Sequence, residues 1–511
     1  MIDMKQSMFF EKKWLISIVF VAICVLFAAC DKEERVEESN PSPDTVAPAP
    51  EPQPRLSGYL VSVIDSASMT LDEFASQVTA SPLITYADQV VEGASQWIKP
   101  GLQGLITARR PVMDALFLGS VGLDERGHRQ WAIESYVFTY RTITPTGEAV
   151  TLSGRVTFPN NTVDGKAHLL DSYTLFSHQY VMATDWVPSE CYSLMSMRAL
   201  WNSAVIEPDE QGYGIDLHQH SVNFIAFPSR ARQLADCALA AVQIMQRHNV
   251  QLASTGFSTN WGSSLGAPIA LSFARYYDRE ATDLERSVLR LKSTYLGEGP
   301  LDYAAMLLYK DQHPEAAVSL TSAFYGLGAL SQEQLHGYAA EEYMPAWMGT
   351  AQVPYDGTGY SYFYAASHVM EGYNRYKQKI QPDTLLVNIL SADMLDQEGH
   401  LERYVTKTTE FLSLLREQNT WDDWQPQTDI YMAHAEADDQ IPVSTVRPIY
   451  ERLRTTGASA RQKLHWLTVN TEDDPLIDNI GGPHYGASIE AMLYMVLARE
   501  PKDMNMFYSE E

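Results

Sequence analysis

Basic residues, cysteine and nucleotide-binding motifs are scarce or missing in this sequence. Lysine and arginine number 37 against 64 aspartates and glutamates in 511 residues, a formal net charge of −27. So acidic a surface argues against nucleic acid as a partner and against electrostatic attraction to anionic membranes. Cysteine occurs four times. Cys24 and Cys30 lie in the N-terminal stretch, which leaves Cys191 and Cys237 for the folded part. In an exported protein these two are compatible with a disulfide or with two buried thiols. There is no phosphate-cradling G-x-x-x-x-G-K-[ST], no dinucleotide fingerprint and no internal repeat, so no cofactor is implied. His218-Gln219-His220 sets two histidines at strand spacing without a third ligand nearby, so no metal is implied.

What is present begins with a targeting pattern. Lys5, Lys12 and Lys13 precede an apolar run from Trp14 to Ala29, short for a membrane span and suited to a signal peptide. The run ends in Leu26-Phe27-Ala28-Ala29-Cys30. That ending resembles a bacterial lipobox, with Phe27 where leucine is usual. The resemblance implies cleavage after residue 29 and lipid on Cys30. Asp31-Lys32-Glu33-Glu34 resembles the acidic export tag of some Gram-negative lipoproteins. Together these imply a lipid anchor in the outer membrane, at the cell surface. Residues 30–56 read as a tether: acidic first, then Pro41, Pro43, Pro48, Pro50, Pro52 and Pro54.

The folded part is 57–511. Residues 57–128 read as a largely helical N-terminal extension without a motif, with apolar spacing at Leu71–Ala75 and Tyr86–Leu105. From about 129 the pattern changes. Tyr136–Thr144 and Ala149–Phe158 read as strands around a Pro145-Thr146-Gly147 turn. Strands are expected at His168–Phe176, Ala204–Ile206, Leu252–Trp261, Leu291–Leu296, Asp429–Ala433 and Lys463–Val469. Helices are expected at Arg230–Arg247, after residue 266 and at Ala487–Ala498. Strands alternating with helices predict an α/β fold with a doubly wound, mainly parallel sheet.

Gly262-Ser263-Ser264-Leu265-Gly266 lies between one such strand and helix. G-x-S-x-G at a strand-to-helix junction exposes the serine on a sharp turn, and its glycines remove Cβ atoms that would clash there. A serine hydroxyl still needs an adjacent base to take its proton. Ser258, in Gly256-Phe257-Ser258-Thr259-Asn260, is the rival nucleophile. A helix after Ser258 would have to run through Trp261-Gly262-Ser263-Ser264, which is poor helix material, so Ser264 is preferred.

Residues 134–300 and 427–500 resemble the α/β-hydrolase family, closest to secretory lipases and bacterial esterases. The resemblance rests on the elbow, on Ser153–Pro159, and on Val205-Ile206-Glu207-Pro208-Asp209-Glu210-Gln211-Gly212-Tyr213-Gly214. It rests also on Tyr431-Met432-Ala433-His434-Ala435-Glu436-Ala437-Asp438-Asp439-Gln440-Ile441-Pro442, similar to the family's H-G-x-x-D-x-x-V-P. That match puts Asp438 in the role of the acid, with Asp439 and Glu436 as rivals, and His434 in a structural role. Gly482-Pro483-His484-Tyr485, before the last helix, puts His484 in the role of the base. The resemblance implies an oxyanion hole from the N–H of Leu265 and a second N–H from Gln179 or Tyr180. It also implies a largely helical lid at about 301–426, rich in aromatics such as Phe324, Trp347, Tyr355 and Tyr364. The activity implied is hydrolysis of a carboxylic ester (a lipid, an acylated glycan or a small acyl ester). A peptidase of the same fold and a non-catalytic glycan- or lipid-binding module are the alternatives.

Overall fold

The computed structural model describes residues 54, 56–81, 84, 95–116, 131–160, 167–178, 186–217, 219–220, 225–318, 390–419, 421, 424–469 and 483–511. Its strands are β1 (Leu60–Met69), β2 (Ala132–Ile143), β3 (Ala149–Asn160), β4 (His168–Ser177) and β5 (Ser203–Pro208). After them come β6 (Val250–Ser263), β7 (Leu291–Gly297), β8 (Asp429–Ala435), β9 (Leu464–Val469) and β10 (Ser509–Glu510). They form one sheet in the order β1-β2-β3-β5-β4-β6-β7-β8-β9-β10. The pairs from β5 through β9 are parallel, while β1–β2, β2–β3, β3–β5 and β9–β10 are antiparallel. The doubly wound, mainly parallel sheet expected from the sequence is the one that forms.

Helices cover both faces. They are α1 (Leu71–Thr79), α2 (Ser95–Leu116), α3 (Phe227–Arg247), α4 (Gly266–Arg279), α5 (Asp283–Leu289) and α6 (Tyr303–Gln312), then α7 (Thr406–Glu417), α8 (Val443–Thr455), α9 (Ala458–Lys463) and α10 (Pro483–Leu497). Side chains alternate across each strand, so successive residues enter different cores. On β8, Ile430 and Met432 join the core made with α3, α4 and α8, while Tyr431, Ala433 and Ala435 join the one made with α1, α2 and α10. A strand buried on both faces has no polar side to show. This is why β5 and β8 read as short apolar runs in the sequence.

The expected N-terminal helices form as α1 and α2, and the structure adds a strand before them. The stretch 57–128 is not simply a helical extension, because β1 pairs along β2 and forms the first strand of the central sheet. β1 carries polar residues beside Val61, Val63 and Ile64, and those three remain exposed at the sheet edge. Exposed along most of its length and buried only at Met69, it lacks the alternation that marks a strand in a sequence. Thr70 then starts α1 with a capping box closed by Glu73. α1 and α2 pack into the same core as α10, so this segment shares the architecture of the sheet it precedes.

Of the expected lid, α6, α7 and their flanks are described; Phe324, Trp347, Tyr355, Tyr364 and the rest of 319–389 lie outside the described residues. Asp311 at the end of α6 accepts the Leu401 N–H at 2.8 Å and pairs with Arg403 at 3.3 Å, tying the two described flanks together. The targeting and tether segments, with Cys30, also lie outside the described residues. Cys191 and Cys237 are buried as thiols.

Candidate active site

β6 ends at Ser263 and α4 begins at Gly266, so the chain turns from strand to helix within two residues. Ser264 is at φ +50, in the left-handed region that non-glycine residues rarely occupy. Its N–H donates to the Gly297 carbonyl at 2.8 Å, and its carbonyl accepts from Ala267 N–H at 3.0 Å. The motif's glycines are needed here. A Cβ on Gly262 would stand 2.2 Å from the Gly266 carbonyl oxygen, and one on Gly266 would stand 2.0 Å from that of Ser177. Ser264 is partly exposed between buried neighbours. Ser258, by contrast, is fully buried within β6 and donates to the Leu289 carbonyl.

The structure brings Ser264, His484 and Asp438 together. Ser264 Oγ lies 3.4 Å from His484 Nε2, and His484 Nδ1 lies 2.8 Å from Asp438 Oδ2. An ionised carboxylate only accepts, so Nδ1 carries the proton and Nε2 presents its lone pair to the serine hydroxyl. His484 opens α10, which is fixed at its other end by Arg198. That guanidinium donates to the carbonyls of Met495, Ala498 and Arg499 and lies 4.3 Å over the Trp261 ring of β6. Arg198 thus links the strand that ends at the Ser264 turn to the helix that carries His484. In the sequence its only signal is a lone arginine in an apolar stretch, which does not mark it as part of the site.

Asp438 is held by its own loop. Oδ1 accepts the N–H groups of Gln440 at 2.9 Å and Ile441 at 2.8 Å, leaving Oδ2 for the imidazole. His434 donates from Nε2 to the Ile441 carbonyl at 2.8 Å, bracing the same loop. Asp439 points elsewhere: its Oδ1 accepts the backbone N–H of His484 at 3.3 Å. Glu436 is exposed.

Burial by itself would push the His484 pKa down, but the charge and hydrogen bond of Asp438, with Asp439 adding, raise it above the usual imidazole value. Burial works against Asp438 too. The charge and hydrogen bond of His484, with help from His434 and the Ile441 N–H, hold its pKa below the ordinary carboxylate value. The pair favours an imidazolium beside a carboxylate, the state a serine attack would create.

Leu265 is buried and stands at the N-terminus of α4, where backbone N–H groups point out of the helix. Gln179 and Tyr180 lie outside the described residues. The chain leading to them is described: the Ser177 and His178 carbonyls sit against Gly266, and His178 Nε2 is 3.8 Å from Glu210 Oε2. His218 lies outside the described residues, and His220 Nδ1 bonds Asp216 at 2.7 Å.

No protein-family model matches the sequence, and no curated protein matches it. Among solved structures, the chain is similar to a candidate hydrolase from Legionella pneumophila, at 13% identity, over 85% of this chain and 96% of that one, with a TM-score of 0.56. It is similar also to the rice cell wall degrading esterase LipA from Xanthomonas oryzae, at 15% identity, over 75% of this chain and 93% of that one, with a TM-score of 0.55. With the strand order described above, these likenesses show that the chain adopts the α/β-hydrolase fold.

Proposed function

We propose that this protein is a serine hydrolase of carboxylic esters. The observation that carries the reading is the unbroken chain Ser264 Oγ–His484–Asp438, at 3.4 Å and 2.8 Å. His484 takes the Ser264 proton as the hydroxyl attacks the ester carbonyl. Asp438 holds the imidazole in the required tautomer and stabilises the imidazolium. The N–H of Leu265, with that of Gln179 or Tyr180, receives the charge that develops on the carbonyl oxygen. His484 then returns the proton to the leaving alcohol, and water attacks the acyl-enzyme by the same route in reverse. An ester rather than an amide is favoured by the likeness to a cell-wall-degrading esterase.

Labelling with a fluorophosphonate probe tests the nucleophile. Label should fall on Ser264, and Ser264→Ala should lose both label and activity, with turnover down by roughly a million-fold. A folded variant that still turns over esters at the parental rate overturns the reading. Aryl esters of increasing chain length, acetylated and feruloylated glycans, and peptide amides, assayed side by side, define the substrate class; hydrolysis of amides alone would favour a peptidase. We propose also that the mature protein starts at a lipidated Cys30 and is held in the outer membrane, on the lipobox-like Leu26–Cys30. Mass spectrometry of the mature N-terminus checks this, and an unlipidated start elsewhere overturns it.

A further inference from the structure

Glu298 follows β7 directly, one residue beyond the carbonyl that takes the Ser264 N–H. It is held at φ +43, a strained setting for a residue with a side chain. Its N–H donates to the Ala433 carbonyl of β8 at 3.0 Å. The Gly297–Glu298 backbone therefore joins the nucleophile elbow to the strand that leads to Asp438. The Glu298 side chain is 0% exposed, and neither of its oxygens has a hydrogen-bond partner among the described residues. Among the described residues, the titratable groups facing it are Asp438 from the loop after β8, Glu490 from α10, Tyr295 from β7 and Tyr508 from the C-terminal segment. None of them is a cation. The imidazoles beside Asp438, those of His484 and His434, are engaged with it and its loop.

Among the described residues, a carboxylate in that setting would have no donor and would face charges of its own sign. A neutral carboxylic acid avoids most of that cost. Burial first, then Asp438 and Glu490, push the Glu298 pKa well above the ordinary range. We propose that Glu298 is a positioning residue that serves the reaction in its neutral form: its backbone joins the elbow to the strand that leads to Asp438, and its side chain fills the buried space without setting a second negative charge near Asp438. The proposal rests on the roles given above to Asp438 and His484. It has a consequence at alkaline pH. Once Glu298 loses its proton, two buried carboxylates repel each other and the 2.8 Å contact of Asp438 with His484 is disturbed. The loss then falls on kcat, because substrate binding is not touched.

The test uses the full chain with Glu298→Gln and Glu298→Ala. An infrared difference spectrum, parent minus Glu298→Gln at neutral pH, should contain the C=O band of one protonated carboxyl. That band should fade as pH rises, in step with an alkaline fall in parental kcat on a short-chain aryl ester. Glu298→Gln should keep neutral-pH kcat within about fivefold, the scale of one altered neutral hydrogen-bonding group, and should lose the alkaline fall. Glu298→Ala should lose more, and glutamine should restore it. A difference spectrum without the band, an alkaline fall unchanged in Glu298→Gln, or a folded Glu298→Gln that is inactive at neutral pH overturns the proposal. The infrared band needs no turnover, so it reads Glu298 even if Ser264→Ala shows that the nucleophile lies elsewhere.

Discussion

The turn after β7 and the loop after β8 are neighbours at the same edge of the sheet, and each carries a buried carboxyl. Asp438 has two backbone N–H groups on one oxygen and an imidazole on the other. Glu298 has no donor among the described residues. Both side chains are out of water, yet their acidities move in opposite directions. Burial therefore does not decide which carboxyl is ionised; the supply of donors does. The loop after β8 is built to hold a charge, and the turn after β7 is built so that none forms.

The sharpest break in this contrast is Asp438→Asn. An amide keeps the shape but presents an N–H or a weaker acceptor to His484 Nδ1, so the wrong tautomer becomes available. The loss in kcat should be on the order of ten-thousand-fold, as for the equivalent change in a serine protease. A second effect has a defined sign. His484 must be neutral to accept the serine proton, so activity falls as pH drops through its pKa. Asp438 holds that pKa above 6.5. With the charge gone, burial pulls it down, and the acid limb of the pH–kcat/KM profile should move to lower pH. An unmoved limb would mean that Asp438 does not govern the imidazole.

Glu298→Gln probes the other side of the comparison through stability. A carboxyl whose folded pKa is raised contributes stability that is complete below its unfolded pKa and is lost as pH rises through the folded value. Glutamine does not titrate. Parent and variant melting temperatures should therefore diverge as pH rises, with the variant the more stable at the alkaline end. Glu207, Asp209 and Asp236 are also raised by burial, but they are common to both proteins and cancel in the difference. Parallel curves would show that Glu298 is already ionised.

The two regions were unequally legible. The loop after β8 announced itself because its short polar motif follows an apolar strand at fixed spacing, and the elbow because two glycines flank a serine. The expected strands from β2 to β9 were read with ends within a few residues of those observed, since each carries its own local pattern. Nothing local in the sequence marks Glu298. Gly297-Glu298-Gly299-Pro300 looks like an exposed turn, and distant parts of the chain close it off: Ala267 and Pro268 of α4 lie against Gly299, and Glu490 and Tyr508 face Glu298. Arg198 was missed for the same reason: its three acceptors lie about 300 positions away in sequence. β1 was missed because an edge strand facing solvent carries no buried stripe. What local pattern encodes is readable; what distant contacts create is not.

The smallest effect belongs to Asp439, whose position beside Asp438 makes it the finest test of the acid's assignment. Its carboxylate accepts the His484 backbone N–H at 3.3 Å and a contact from the Gln440 side chain at 3.2 Å. It does not bond the imidazole. In Asp439→Asn the amide oxygen can still accept the same N–H, so what is lost is mainly a charge that is only half-buried. Such a charge contributes little across solvent, about 1 kcal/mol or less. kcat/KM should therefore drop by no more than about fivefold, the equivalent of that energy. Because Asp439 adds to the raised pKa of His484, the acid limb should shift down, but by less than in Asp438→Asn. Measuring both variants on one short-chain ester, with folding matched by circular dichroism, gives the ratio that matters. A loss in Asp439→Asn that rivals Asp438→Asn would mean the loop turns in solution to present the second carboxylate, and the acid would have to be reassigned.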